Sequence, residues 1–300
     1  MLTQKVALYT TIYPGVEKYL AAWYQSVQRQ TDQEFDIWVG VDELEPDTII
    51  AAFGEDPQPV WIIAEEGDTP ADIRQKAISK IIEQYPAIVF VDSDDILEPT
   101  RVEGARKALE QSDVNGCAMR IIDANGKDLE LVFAPNDVNL NSILPKYNVF
   151  GFSNTIYRSD VLHDCLPVPS KCTLVDWFII TRAWAKGYRL TFDPNVRMAY
   201  RQHEANLAKI LPPFTSAQIL LATQRVLEHF QMVLEHIPEL TGGKRLEVEK
   251  SQLKVKHFYQ SISRDPGILA QYVMALNQMP PEMIWWSNVA NPRLEAIWIN

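Results

Sequence analysis

The sequence predicts an α/β protein: a mixed, mostly parallel sheet flanked by helices, followed by a helical C-terminal extension. Three observations predict it. Short, almost continuously apolar runs recur through the first third of the chain. Between them lie stretches whose apolar residues fall at helical spacing. From about Pro212 onward only the helical spacing remains. Strands apolar on both faces, separated by amphipathic helices, imply a parallel sheet covered on both sides.

The elements follow in order. Val6-Ala7-Leu8-Tyr9-Thr10-Thr11-Ile12 reads as a strand, broken by Pro14 and Gly15. Val16, Leu20, Trp23 and Val27 form one helical face. Residues 35–41 and 60–64 are two further strands. Thr69-Pro70 has the form of an N-cap with proline at the first helical position, and Ile73, Ala77 and Ile81 line the helix that follows. Residues 87–91 make a fourth strand, and Val102, Ala105 and Leu109 mark the next helix. The middle is mixed, with strand-like pieces at 117–122, 129–133, 151–157 and 189–192 and a helix over 175–186. Two C-terminal helices are expected. One carries Ile219, Val226, Phe230, Val233 and Ile237. The other follows a Gly242-Gly243 turn and carries Leu246, Leu253, Phe258 and Ile262. The expected division is a catalytic domain over 1–210 and a helical extension over 211–300.

Composition excludes several classes. The chain has 300 residues, 47% hydrophobic and 22% charged, enough for a large core without staples. A net charge of −11 argues against broad nucleic-acid binding and against adhesion to anionic lipid by charge alone. Cys117, Cys165 and Cys172 fit neither a zinc site nor a disulfide framework; Cys165 and Cys172 could bridge a loop, but reduced thiols are favoured. No apolar run reaches the roughly 18 residues of a spanning helix, and no signal peptide is evident, so a cytoplasmic location is expected.

Chemistry concentrates after the fourth strand, in Val91-Asp92-Ser93-Asp94-Asp95. Three carboxylates in four positions repel one another and lose hydration if buried. A hard cation such as Mn²⁺ or Mg²⁺ resolves both problems, commonly with one or two carboxylates plus substrate phosphates. The bland alternative is a solvated turn, because Asp is a common turn residue. Position favours the site: in open α/β sheets, ligands bind beyond the carboxyl ends of the strands. The second strand also ends in an acid, Asp42.

The Val89-to-Pro99 run, with its Asp-x-Asp motif, resembles the metal-binding segment of family 2 glycosyltransferases. The resemblance extends to Tyr24–Thr31, Phe35–Asp42, Thr69–Arg74, Val175–Phe178 and Tyr200–Asn206, in family order, over roughly residues 3 to 210. It implies a GT-A fold, Rossmann-like, and an inverting, metal-dependent transfer of sugar from a nucleoside-diphosphate-sugar donor to a hydroxyl of a glycan or other acceptor. It implies that Thr11, Tyr13, Asp42, Arg74, Asp92, Asp94 and Arg201 line the donor site. Asp42 would contact the nucleoside. Asp94 and Asp95 would handle ribose and metal, Asp95 being favoured as the direct ligand. Asp176 would be the general base, and Arg201 could pair with the diphosphate.

Alternatives stand beside these roles. Asp42 could simply end a strand, and Arg74 could be a surface helix residue. Thr173-x-x-Asp176 could be a capping box, although Glu or Gln is preferred at its last position. His203 could be a metal ligand, a phosphate donor or a structural residue. Asp42-Glu43-Leu44-Glu45 departs from the family's usual paired acids followed by Gly-Ser, and Val175 stands where an acid is common.

Two other functions compete. A sugar-1-phosphate nucleotidyltransferase needs a glycine-rich, basic loop, which Thr10–Gly15 does not supply. A non-catalytic module binding a glycan or a protein stays open through the Asp42-Glu43 departure. The apolar stripes of the C-terminal helices fit intramolecular packing, a homo-oligomer interface or an acceptor-site wall alike.

Overall fold

A computed structural model describes residues 4–135 and 139–299. The chain alternates strand and helix, with α2 and β5 added to the elements the sequence predicts: β1 (Val6–Ile12), α1 (Glu17–Gln28), β2 (Phe35–Val41), α2 (Pro46–Phe53), β3 (Val60–Ile63), α3 (Pro70–Ile81), β4 (Ala87–Phe90), β5 (Ile96–Leu97) and α4 (Arg101–Ala108). β6 (Val114–Ile122), β7 (Asp128–Phe133), a short α5 (Leu140–Ile143), β8 (Thr155–Arg158), α6 (Ser159–Cys165), α7 (Val175–Lys186) and β9 (Leu190–Arg201) complete the middle. The rest is helical: α8 (Ser216–His236), α9 (Gly242–Arg264), α10 (Pro266–Gln278) and α11 (Glu295–Trp298).

The strands form one sheet in the order β3-β2-β1-β4-β8-β6-β9-β5, with β7 added on β6. β3, β2, β1 and β4 run parallel, while β8 is antiparallel to both β4 and β6. Every residue of β1 and β4 is buried, as near-continuous apolar runs require. Arg101, fully buried, donates from Nη2 to Thr155 O at 2.8 Å and Phe90 O at 3.4 Å, tying β4 to β8. β9 is far longer than the predicted 189–192. Asp193 pairs with Cys117 and Val196 with Ala118, so Pro194 and Asn195 form a bulge and the strand resumes. Proline has no N–H for a ladder, and a bulge is where a sheet tolerates it.

The chain divides into two compact units, Met1–Ala134 with Phe150–Arg201, and Pro135–Val149 with Gln202–Asn300. The boundary falls after Arg201, and the segment before Phe150 belongs with the C-terminal helices. In the second unit α8, α9 and α10 pack on one another. The α8 stripe is buried throughout. On α9 the register differs from expectation: Val248, Val255, Phe258 and Ile262 face inward, while Leu246 and Leu253 are 50% and 68% exposed. Those two leucines lie seven apart on another helix face, which the 3.6-residue period separates from the inner one. Trp285, Trp286 and Trp298 are buried. All three cysteines are buried free thiols, so Cys165 and Cys172 form no bridge. Among the described residues no helix is long and apolar enough to cross a membrane.

Candidate active site

Parallel strands deliver their carboxyl ends to one edge of the sheet. Ile12 lies opposite Val41 in register, and Tyr9 opposite Phe90, so the segments after β1, β2 and β4 emerge together. Backbone bonds fix them there: Asp42 N donates to Ile12 O at 2.9 Å and Val91 N to Tyr9 O at 3.1 Å. Ser93 Oγ donates to Thr11 O at 2.9 Å. Thr11 thus supports the acidic loop through its carbonyl, while its own hydroxyl donates to Tyr9 Oη at 3.1 Å.

The acidic loop is built into the protein, which excludes a solvated turn. Asp94 and Asp95 are 6% and 1% exposed. Asp92 Oδ2 accepts from Ser153 Oγ at 2.7 Å. Burial, then the Asp94 charge, pushes Asp92 up to about 6. Burial first, then Asp94 and Asp92, holds Asp95 well above the usual carboxylate range. Asp95 Oδ1 accepts from Arg201 N at 2.8 Å, whereas its buried Oδ2 has no hydrogen-bond partner among the described residues.

Arg201 has a different place from the one expected at the diphosphate. It is 3% exposed. Its Nε donates to Asp94 O at 2.6 Å, and Nη1 to Asp123 O and Ala124 O at 3.3 and 3.2 Å. The guanidinium lies 4.6 Å from the Tyr19 ring centroid. Through Nε and its backbone N–H it clamps the acidic loop, and through Nη1 it reaches the carbonyls of residues 123 and 124.

Arg74 on α3 is the cation within reach of the other acids. Its charge lowers the carboxyls of Asp42, Asp92 and Asp176 and the hydroxyl of Tyr13, against larger upward effects of burial. Its guanidinium lies 5.5 Å from the Phe152 ring centroid, and Phe152 stacks on Phe90 at 4.7 Å. Asp42 is half-buried and raised, by burial first and Glu43 second. Glu43 beside it takes a left-handed φ of 53°.

Asp176 stands in the first turn of α7. The cap residue is Leu174, with no side-chain cap, so Thr173 does not make the alternative capping box. Burial drives Asp176 up to about 6; the Trp177 backbone N–H pulls the other way, and Asp92 adds to the rise. His203 lies in the second unit, where its Nδ1 faces Ala205 N at 3.3 Å and its backbone N–H donates to Asn206 Oδ1. Among the described residues no group of three or more His, Cys, Asp or Glu is arranged to hold a metal by itself.

Two contributors escape the sequence reading: Ser153, which holds Asp92, and Phe152, the shelf under Arg74. Both lie in a stretch whose pattern shows only a strand, and neither contact has a local spacing.

A nucleotide-sugar type α/β sheet with an acidic loop at its carboxyl edge defines the class. The family model for glycosyl transferase family 2 matches residues 9–166, and the chain belongs to that family. An O-antigen biosynthesis glycosyltransferase of Escherichia coli, WbnJ, is 27% identical over 151 residues, 49% of this chain and 59% of WbnJ. The match therefore spans less than two thirds of that relative. S. aureus TarS superposes with a TM-score of 0.61 at 15% identity over 99% of this chain and 51% of TarS. Its 1–349 fragment, solved with UDP-GlcNAc, gives 0.54 at 16% identity, covering 91% and 88%. The mannosyltransferase PcManGT of Pyrobaculum calidifontis, solved with GDP-Man and Mn²⁺, gives 0.58 at 14% identity, covering 93% and 78%. These likenesses establish a GT-A-like fold.

Proposed function

We propose that this chain is an inverting, metal-dependent glycosyltransferase that moves a sugar from a nucleoside-diphosphate-sugar to an acceptor hydroxyl. One observation carries the reading: carboxylates from three elements, Asp42, Asp92 and Asp176, all feel the charge of Arg74 on a fourth, and Asp176 also feels Asp92. The family and the donor complexes of TarS and PcManGT support the donor class.

The residues fit a hard cation. Asp95 offers a buried carboxylate oxygen with no hydrogen-bond partner among the described residues, and burial and then the neighbouring acids raise its energy when ionised. With no three-ligand cage among the described residues, donor phosphates and water would have to supply the remaining ligands, a mode common for Mg²⁺. Asp95 and Asp94 would hold the ion. When bound, it would offset charge developing on the departing diphosphate.

The chain's own residues do the rest. Asp42 receives the nucleoside, and Tyr13 and Thr11 shape the floor after β1. Arg74, steadied on Phe152, offers a guanidinium to the diphosphate. Arg201 acts as a positioning residue by fixing the acidic loop. Asp176 takes the acceptor hydroxyl proton on a carboxylate oxygen as the acceptor oxygen attacks the anomeric carbon from the far face. The anomeric carbon–oxygen bond to the diphosphate breaks, and the nucleoside diphosphate leaves with that electron pair. A carboxyl near 6 is ionised at neutral pH yet more basic than an ordinary one, which favours general-base work.

Calorimetry with UDP, GDP, dTDP and ADP tests this. At least one diphosphate binds in the presence of Mn²⁺, and the binding disappears on chelation. Absence of binding by all four with metal present overturns the proposal.

A further inference from the structure

The second unit contains a cavity of about 290 Å³ that the transfer reaction leaves unexplained. Its floor is apolar: Val226 and Phe230 from α8, Val255 from α9, and Val289. Three lysines, Lys146, Lys250 and Lys254, stand on its walls with one acid, Glu247. This is a cationic spot in a chain whose net charge is −11. Lys250 pairs with Glu247 and Lys254 with Glu295, each at 2.8 Å, but exposed pairs of this kind are weak in water. Lys146 is exposed and has no ion-pair partner among the described residues.

The wall is pre-formed. Trp286 and Ala290 line the cavity with left-handed backbones, φ 70° and 47°. Such conformations persist in non-glycine residues only where the surroundings hold them. Here Tyr272 Oη donates to Asn288 O and accepts from Asn291 N, both at 2.9 Å, and Asn291 Nδ2 donates to Ser287 O at 3.0 Å. A concave, apolar, pre-formed cleft with a few placed polar groups is the usual form of a small-molecule site.

The chemistry of the lining selects the ligand. The cavity's polar lining is Tyr147, Ser251, Glu247 and the three lysines, so the charged groups are mostly cationic. Ammonium groups beside an apolar floor fit a molecule with an anionic head and an apolar body. A cavity of about 290 Å³ suits a body of one short chain or one ring.

We propose that this cavity binds a small anionic amphiphile, its phosphate or carboxylate head at Lys146 and Lys250 and its apolar body on Val226, Phe230 and Val255. The proposal is independent of the transfer reaction.

The test is calorimetry on the full chain with octyl phosphate below its micellar concentration, against octanol, inorganic phosphate and octyltrimethylammonium. Octyl phosphate should bind at least roughly tenfold more tightly than each of the others. Lys146→Glu and Lys250→Glu should each weaken it by about the same factor. Val255→Trp should fill the floor and abolish it. If that variant does not fold, the two exposed lysine variants decide, with circular dichroism and melting confirming their fold. Co-sedimentation with vesicles containing phosphatidylglycerol identifies the source of the head group: association lost in Lys146→Glu points to a lipid, and no association to a soluble ligand. Equal binding of octyl phosphate and octanol, no octyl phosphate binding, or no loss in either lysine variant overturns the proposal.

Discussion

α3 and α7 are both twelve-residue helices with one aspartate in the first turn, yet those two carboxyls are driven in opposite directions. At α3, Thr69 and Asp72 form a complete capping box, and Ser170 Oγ donates to the same carboxylate at 2.7 Å. Hydrogen bonds from Thr69 N–H, Ser170 and Thr69 Oγ1 lower Asp72 below its ordinary range. At α7 the cap position is Leu174, no side chain caps the helix, and burial raises Asp176 to about 6. One helix uses its acid to hold the chain. In the other, backbone N–H groups of the first turn also reach the acid, but burial outweighs them and leaves it raised, in a position that works against stability at neutral pH.

The comparison can be broken by substitution. The largest expected effect is on rate. Asp176→Asn should keep donor binding and lower the transfer rate by about 10²–10⁴-fold, as loss of a general base does. Single-turnover kinetics beside calorimetry checks it, and full activity removes Asp176 from the mechanism. Next is the pH profile. The base must be ionised, so kcat/KM should fall about tenfold per unit as pH drops below about 6, and this limb should vanish in the residual activity of Asp176→Asn.

Stability should then show opposite signs at the two helices. Asp176 is raised in the fold, so the native state binds the extra proton between about 4 and 6. Its contribution therefore falls as pH rises through that window. Asp176→Asn should be more stable than the parent at pH 8, by on the order of 1–2 kcal/mol, and the gain should shrink towards pH 4; urea titration at both values reads it. Asp72 is lowered, so its contribution is present above the ordinary carboxylate range and is lost as pH falls. The smallest effect is Thr69→Ala, which removes the cap and should cost about 1 kcal/mol while retaining transfer, as melting and rate measurements together would show.

Much of this was legible in the sequence, for identifiable reasons. β1, β2 and α7 match their expected bounds because a residue's surroundings and its spacing agree there: apolar runs become buried strands, and a 3.6-residue period becomes a packed face. α2 and α10 were not anticipated. Both begin at a proline that follows an acid, and that pair reads as a turn until the rest of the helix is seen. β5 spans two residues, too short for any period to register. At the site, residue types carried the signal for Asp42, Arg74, Asp92, Asp94, Asp95 and Asp176. Ser153 lies 61 positions from Asp92 and Arg201 106 from Asp95, and a bond to a distant backbone leaves no trace in local pattern. That is why the bonds from Arg201 to the acidic loop were not anticipated.

The Arg201 clamp also sets where this protein can be cut and recombined. Arg201 is the last residue of the first unit, and its backbone N–H and guanidinium fasten Asp94 and Asp95, more than a hundred positions upstream. A chimera that exchanges the C-terminal helices must splice after Arg201. A junction one residue earlier would replace Arg201 and lose the guanidinium bond to Asp94 O, leaving the loop to Ser93, Ser153 and a backbone N–H.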